Sequence, residues 1–193
     1  GGGIRLVGSS NNIISNNEAG GNDGEGISLE SSNGNELTDN EADSNINDGI
    51  SLVSSNNNDL IGNSLANNFE GISLDGSTDN TVSDTTTTDN GNSMFLDGGS
   101  DGNMIRNSTL APGSDGIYIQ LSSNNVIEEN VTITGAADSG IELRASADSN
   151  IFRNVTSRNS GNWDFFAGDS SDITAENLNI GGSTSPETTL NFE

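Results

Sequence analysis

The chain has 193 residues with 5 basic and 29 acidic side chains, a formal net charge of −24, and neither Cys nor His. All five cations are Arg, and so acidic a balance excludes phosphate-rich partners: no nucleic acid is expected, and no apolar run is long enough for membrane insertion. Thiol chemistry, disulfides and imidazole general bases are excluded with them. Only 29% of residues are hydrophobic, a level that by itself suggests disorder; the order of the residues argues otherwise.

Taken along the chain, a short apolar signal recurs. It appears as Gly3-Ile4-Arg5-Leu6, Gly26-Ile27-Ser28-Leu29, Gly49-Ile50-Ser51-Leu52 and Gly71-Ile72-Ser73-Leu74. It continues as Ser93-Met94-Phe95-Leu96, Gly116-Ile117-Tyr118-Ile119, Gly140-Ile141-Glu142-Leu143 and Trp163-Asp164-Phe165-Phe166, at intervals of 22 to 24 residues. Each signal predicts a strand. An Asn-x-apolar step follows, as in Asn35-Glu36-Leu37, Asn58-Asp59-Leu60, Asn80-Thr81-Val82 and Asn125-Val126-Ile127. Fourteen positions after each anchor stand Asn17, Asn40, Asn63, Thr85, Asn107, Asn130, Asn154 and Asn177. Some repeats then add a third alternation, such as Val131-Thr132-Ile133. Strands this short cannot bury a face alone. Stacked at ~4.8 Å per coil, they share one narrow core, so few apolar residues suffice. The seven Asn are expected to form a ladder along the axis, because an amide both donates and accepts.

The predicted fold is all-β: a single-stranded parallel β-helix of about eight coils over 1–183, with 184–193 a tail or partial cap carrying Pro186, Leu190 and Phe192. The pattern resembles the right-handed parallel β-helix repeats of the pectin-lyase-like superfamily, nearest the NosD-like and the carbohydrate-binding and sugar-hydrolase repeats. The resemblance implies the right hand of the helix and an outer-face substrate cleft. It does not bring the Asp-Pro-His-Glu motif of alginate epimerases, the clustered Asp and His motifs of polygalacturonases or the Lys and Arg arrangement of pectate lyases. Copper handling finds only Met94 and Met104 as soft ligands.

Alternation places the residues two and four after each anchor on the outside. Two columns result: Arg5, Ser28, Ser51, Ser73, Phe95, Tyr118, Glu142, Phe165, and Val7, Glu30, Val53, Asp75, Asp97, Gln120, Arg144, Ala167. The second half of this face is the candidate glycan site, with Tyr118, Gln120, Glu142, Arg144 and Phe95 as binding residues. Asp75, Asp97, Glu142 and Arg144 are the catalytic candidates, the first two as stacked carboxylates suited to a glycosidase pair. Glu25, Asp48, Glu70 and Asp115 each precede an anchor and are expected to stack at one turn, solvated or holding Ca²⁺ or Na⁺; no other cofactor is required. The sequons at Asn107, Asn130 and Asn154 fall on ladder positions and are expected to point inward, away from any sugar. The run Thr85-Thr86-Thr87-Thr88 is read as one Thr-rich turn that neighbouring coils do not repeat.

The leading functional expectation is an extracellular or cell-surface carbohydrate-binding or scaffold module; the runner-up is a lyase, hydrolase or uronan epimerase acting through the same face. The partner is a polysaccharide or surface glycan, with neighbouring domains or end-to-end contacts covering the open N-terminal coil. A net charge of −24 without Lys resembles halophilic proteins, in which salt screens self-repulsion.

Overall fold

The computed structural model describes residues 1–182; the tail expected at 184–193 lies outside the described residues. Among these residues the regular elements are all strands, and every pairing is parallel. Three sheets wall the solenoid, two spanning all eight coils and the third the last six. The first takes one strand from each of eight coils, from Ile4–Val7 through Glu70–Asp75, Asn92–Asp97, Ile117–Gln120 and Ile141–Arg144 to Phe166–Ala167. The second has eight strands, from Ile13–Ser15 to Thr174–Glu176, and the third six, from Ser64–Ala66 to Asn179–Gly181.

Register makes the core. Ile27, Ile50 and Ile72 are Cα partners in succession, and so are Leu29, Leu52 and Leu74. In the second sheet Leu37 and Leu60 stack with Val82. All are buried, and each such side chain stabilises the fold by roughly 1.5–3 kcal/mol relative to exposure. The anchor Gly is required by close approach: a Cβ on Gly26 would lie 2.7 Å from the carbonyl oxygen of Gly49 and 2.8 Å from the Ala42 methyl. A side chain there would push two coils apart.

The Asn ladder differs from expectation. Asn17, Asn40 and Asn63 do stack, the Asn40 and Asn63 amide oxygens each accepting from the backbone and amide N–H of the preceding coil. Asn107, Asn130, Asn154 and Asn177 do not belong to that column; they are exposed corner residues with φ of 47°, 66°, 54° and 53°. The inward places beside them belong to Ser108, Val131 and Val155, all buried, and to half-buried Leu178. Three single-residue insertions shift Asn107, Asn130 and Asn154, and Asn177 is displaced because the last coil is anchored one residue later, at Asp164. Gly98-Gly99, Glu129-Asn130 and Ala145-Ser146 are consecutive left-handed residues where other coils use one, so a constant spacing of fourteen moves from an inner to a corner place. A left-handed corner favours Asn, Asp and Gly, which is why the letter repeats while its role changes.

The continuous ladder instead runs through the Asn that opens the second strand of each coil. Asn12, Asn35, Asn58, Asn80, Asn103, Asn125 and Asn150 link in series, each oxygen after the first accepting twice from the coil before at 2.8–3.2 Å. A shorter ladder joins Asn22, Asn45, Asn68 and Asn90. Hydroxyls of Ser32, Ser55, Ser77, Ser100 and Ser122 cap the backbone N–H one coil back. The sequons are corrected likewise: their Asn stand exposed at a corner. The threonines two residues on, Thr109, Thr132 and Thr156, continue the column of Thr86. The Thr run is therefore part of a four-coil Thr column on the third sheet, contrary to its reading as a single turn.

Four of the Arg tie neighbouring coils, and Arg144 pairs with Glu142 on its own strand. Arg5 meets Glu30 at 2.5 Å, and Arg153 reaches both Glu128 and Glu176. Arg106 meets Glu129, Arg144 meets Glu142, and Arg158 donates to Asn179. Five cations against 29 carboxylates leave net repulsion along a thin rod. The melting temperature is therefore expected to rise between ~0.05 M and ~2 M salt, which bracket weak and strong screening; a circular-dichroism melt that shows no change would refute this.

Candidate functional site

The outer face of the first sheet gathers its chemistry in the last four coils. Phe95, Tyr118 and Glu142 are successive Cα partners, and Glu142 is in turn the partner of Phe166. The Phe95 and Tyr118 rings lie 5.4 Å apart, tilted by 31°, a favourable offset for aromatic pairs. The Tyr118 hydroxyl donates to Gln120 Oε1 at 3.1 Å, and Gln120 Nε2 donates to Asp97 Oδ2 at 3.0 Å. Asp97 Oδ1 accepts from the Gly98 N–H at 2.6 Å, so both oxygens are engaged. Asp75 is the Cα partner of Asp97. Burial, and after it the charge of Glu142, pushes the Tyr118 phenol upward, so it remains a hydrogen-bond donor at neutral pH.

Phe165 and Ala167 are corrected. Phe165 is 4% exposed and packs edge-on against Phe152 in the core, and Ala167 pairs with Leu143 on the inner side. The outward place belongs to Phe166. In this coil the Gly position is taken by Asp164, fully buried, whose carboxylate accepts from the N–H groups of Ser160 and Gly181. With no Gly to mark the anchor, the reading slipped by one residue. Arg144 donates to Glu142, and its guanidinium carbon sits 4.7 Å from the Phe166 ring centroid, a cation–π contact. Trp163 adds a second ring 5.9 Å from Phe166. The result is one strip: Phe95, Tyr118, the Glu142–Arg144 pair, Phe166 and Trp163. Trp163 and Phe166 were missed; a search for aromatics just before and after the buried position would have found them.

Glu25, Asp48, Glu70 and Asp115 flank the start of the first sheet, linked through Asn47 and Asn92. Asn47 Nδ2 donates to Glu25 Oε1 at 3.2 Å, the Asn92 N–H to Glu70 at 3.0 Å and the Asp115 N–H to Asn92 at 3.2 Å. Burial is the main reason the Asp48 carboxyl is pushed up to about 6 and Glu70 to about 7. Neighbouring charge adds to this: Glu25 acts on Asp48, and Asp48 and Asp115 act on Glu70. Asp115 is raised by burial and then by Glu142 and Asp138, against the hydrogen bond it accepts from the Ser139 N–H. A concavity elsewhere, lined by Ser146, Asp148, Gly168, Asp169, Ser170 and Ser171, is a polar crease between turns without an aromatic or a cation.

No curated protein sequence matches this chain. Among solved structures it resembles the periplasmic alginate epimerase AlgG, with a TM-score of 0.77, 15% identity, 92% of this chain covered and 50% of that one. A mutant form of that epimerase gives a TM-score of 0.84 at 16% identity, covering 93% of this chain and 47% of the other. The chain thus spans about half the length of the epimerase. An alginate lyase from Paenibacillus sp. str. FPU-7 aligns with a TM-score of 0.59 and 18% identity over 89% of this chain and 79% of that one. At these identities the likeness establishes the fold.

The family model described as periplasmic copper-binding protein (NosD) matches residues 1–83 and 44–180. The donor set here does not suit copper as a resident ion: there is no His or Cys, Met94 is 1% exposed inside the core, and Met104 lies on the second sheet rather than the first. No step is assigned to that metal. Its repeats, its three parallel sheets and matches that together span residues 1–180 show that the chain belongs to the NosD family of parallel β-helix proteins.

Proposed function

We propose that this chain is a carbohydrate-binding β-helix module whose outer first-sheet face takes an acidic oligosaccharide, on the outer side of the cytoplasmic membrane where the family description and AlgG place their proteins. The observation that carries this reading is the strip itself. Aromatic faces at Phe95, Tyr118 and Phe166 are interleaved with a hydrogen-bonding amide and one guanidinium fixed by stacking. Sugar rings stack on flat exposed rings, and Arg144 supplies the cation that a uronate carboxylate needs. The similar structures named for alginate supply the class of polymer to try first.

Binding is favoured over a lyase or epimerase. Those reactions need a base, whereas Tyr118 is held protonated and Asp97 has both oxygens occupied as acceptors. Titration calorimetry with alginate oligomers is the test. Weak binding is expected, and Tyr118→Ala and Arg144→Ala should each reduce affinity about tenfold, or about 1.4 kcal/mol. Absence of binding at millimolar concentration, or binding that survives both changes, would leave a scaffold role alone.

A further inference from the structure

We propose that Asp115, Asp138 and Glu142, with the hydroxyl of Ser139, form a site for one hard divalent cation of the Ca²⁺ class at the edge of the first sheet. One oxygen from each carboxylate lies within 4.8 Å of the others. Ca²⁺–oxygen bonds of about 2.3–2.6 Å put ligands on opposite sides of the ion about 4.6–5.2 Å apart, so one ion reaches all three. Mg²⁺ demands near-ideal octahedral geometry and keeps several of its waters, so a set of three protein carboxylates favours Ca²⁺.

Each carboxylate is already held by at least one donor, and Asp115 by two, since its Oδ2 also accepts from the Ser114 hydroxyl at 3.4 Å. Asp115 Oδ1 accepts from the Ser139 N–H at 2.8 Å, Asp138 Oδ1 from the Asn162 amide, and Glu142 Oε1 from Arg144 Nε. The second oxygens are thereby oriented without a cation between them. Three negative charges meet one guanidinium here, and Asp115 and Glu142 are only 8% and 7% exposed, too enclosed for water alone to separate like charges well.

The second observation is Ser139. It is fully buried, and its hydroxyl has no hydrogen-bond partner, an uncommon and unfavourable state. Its direction follows from its place in the coil. A Cβ on Gly140 would run inward against Ser157 and Ser160, and one on Gly116 inward against Ile133. Asp115 and Ser139 hold the same place on adjacent coils, each just before its anchor glycine and joined by the bond from the Gly116 N–H to the Ser139 carbonyl oxygen; the Asp115 carboxylate reaches Glu142 on the outer face, so Ser139 shares that side. The unpartnered hydroxyl lies on the carboxylate side, where it completes a fourth oxygen ligand; waters fill the rest of the shell. The donor set is all oxygen, which selects a hard ion.

The site does not depend on glycan binding, so the probe is the metal alone on the full chain. Calorimetry with Ca²⁺ at ~0.15 M salt, which suppresses diffuse binding to the acidic surface, should give one site with a dissociation constant between about 0.1 mM and 1 mM, the range of extracellular Ca²⁺ sites. Trp163 pairs with Ser139, so excitation of this single Trp should sensitise Tb³⁺ luminescence, which Ca²⁺ then quenches by displacement. Asp138→Asn and Glu142→Gln should each weaken binding by about tenfold or more, a loss of 1.4 kcal/mol at tenfold. Ser139→Ala should weaken it without lowering the metal-free melting temperature, since the hydroxyl satisfies nothing there. Asp59→Asn, on the second sheet, should leave it unchanged. No saturable binding below ~10 mM, affinity retained in both carboxylate variants, or an equal loss in Asp59→Asn would overturn the site, ~10 mM lying above the weakest such sites known.

Discussion

Asn103→Ala is expected to destabilise the protein by about 3–5 kcal/mol, because it leaves several buried groups unpaired at about 1–3 kcal/mol each. Asn103 is fully buried. Its oxygen accepts from the Asn80 N–H at 2.9 Å and the Asn80 amide at 3.1 Å, while its own amide donates to the Ser77 carbonyl oxygen and to Asn125. Truncation orphans groups on the coils to either side, in a place too tight for water. Asn103→Asp should be equally harmful at neutral pH, since a carboxylate keeps the acceptor and loses the donor beside two oxygens. The exposed corner residue Asn130 provides the contrast: with φ at 66°, Asn130→Gly should change stability by only a few tenths of a kcal/mol. Urea melts of the three variants decide the matter. Equal losses at Asn103 and Asn130 would mean that the ladder does not carry the stack.

That contrast shows what a one-dimensional pattern can and cannot report. The repeat, the parallel stacking and the inward Ile and Leu columns are legible because each coil must bury the same few side chains. The ladder was misplaced because Asn serves two unrelated needs in a solenoid. It stacks its amide along the axis, as at Asn58, and it tolerates the left-handed corner, as at Asn107. Spacing alone does not separate them once Gly99 or Ser146 adds a residue between anchor and corner. The sequons follow from the same geometry, a corner Asn, an inward residue and an outward Thr in register.

The candidate face was legible wherever strict alternation holds. Phe95, Tyr118, Gln120, Glu142 and Arg144 are adjacent, as their positions two and four after the anchor require. It was illegible in the final coil, where Asp164 replaces Gly and shifts the frame, so that Phe166 and Trp163 rather than Phe165 reach the surface. Asp138 and Ser139 were invisible for a different reason. They sit in a turn, where neither period applies, and only the fold brings them to Glu142 and Asp115.

Glu70→Gln is expected to make the protein more stable at pH 8 than the parent, by about 2 kcal/mol relative to the same comparison at pH 4, after discounting for coupling to Asp48 and for solvent screening. The sign follows from the direction of the shift. Glu70 is raised from 4.5 to about 7 and Asp48 from 3.8 to about 6, chiefly by burial. A carboxyl raised on folding binds its proton more tightly in the native state, so its contribution is fully present below the unfolded value. It is lost as pH climbs through the folded one, which places the window at about pH 4 to 7. The Gln carbonyl oxygen can still accept from the Asn92 N–H, which bonds Glu70 at 3.0 Å, while carrying no charge beside Asp48 and Asp115. Asp48→Asn should act in the same direction, and the double variant should give less than the sum because each change relieves the other. Denaturant melts across this pH window read the effect directly. A Glu70→Gln profile parallel to that of the parent would show that Glu70 ionises without strain and that the acidic column is simply solvated.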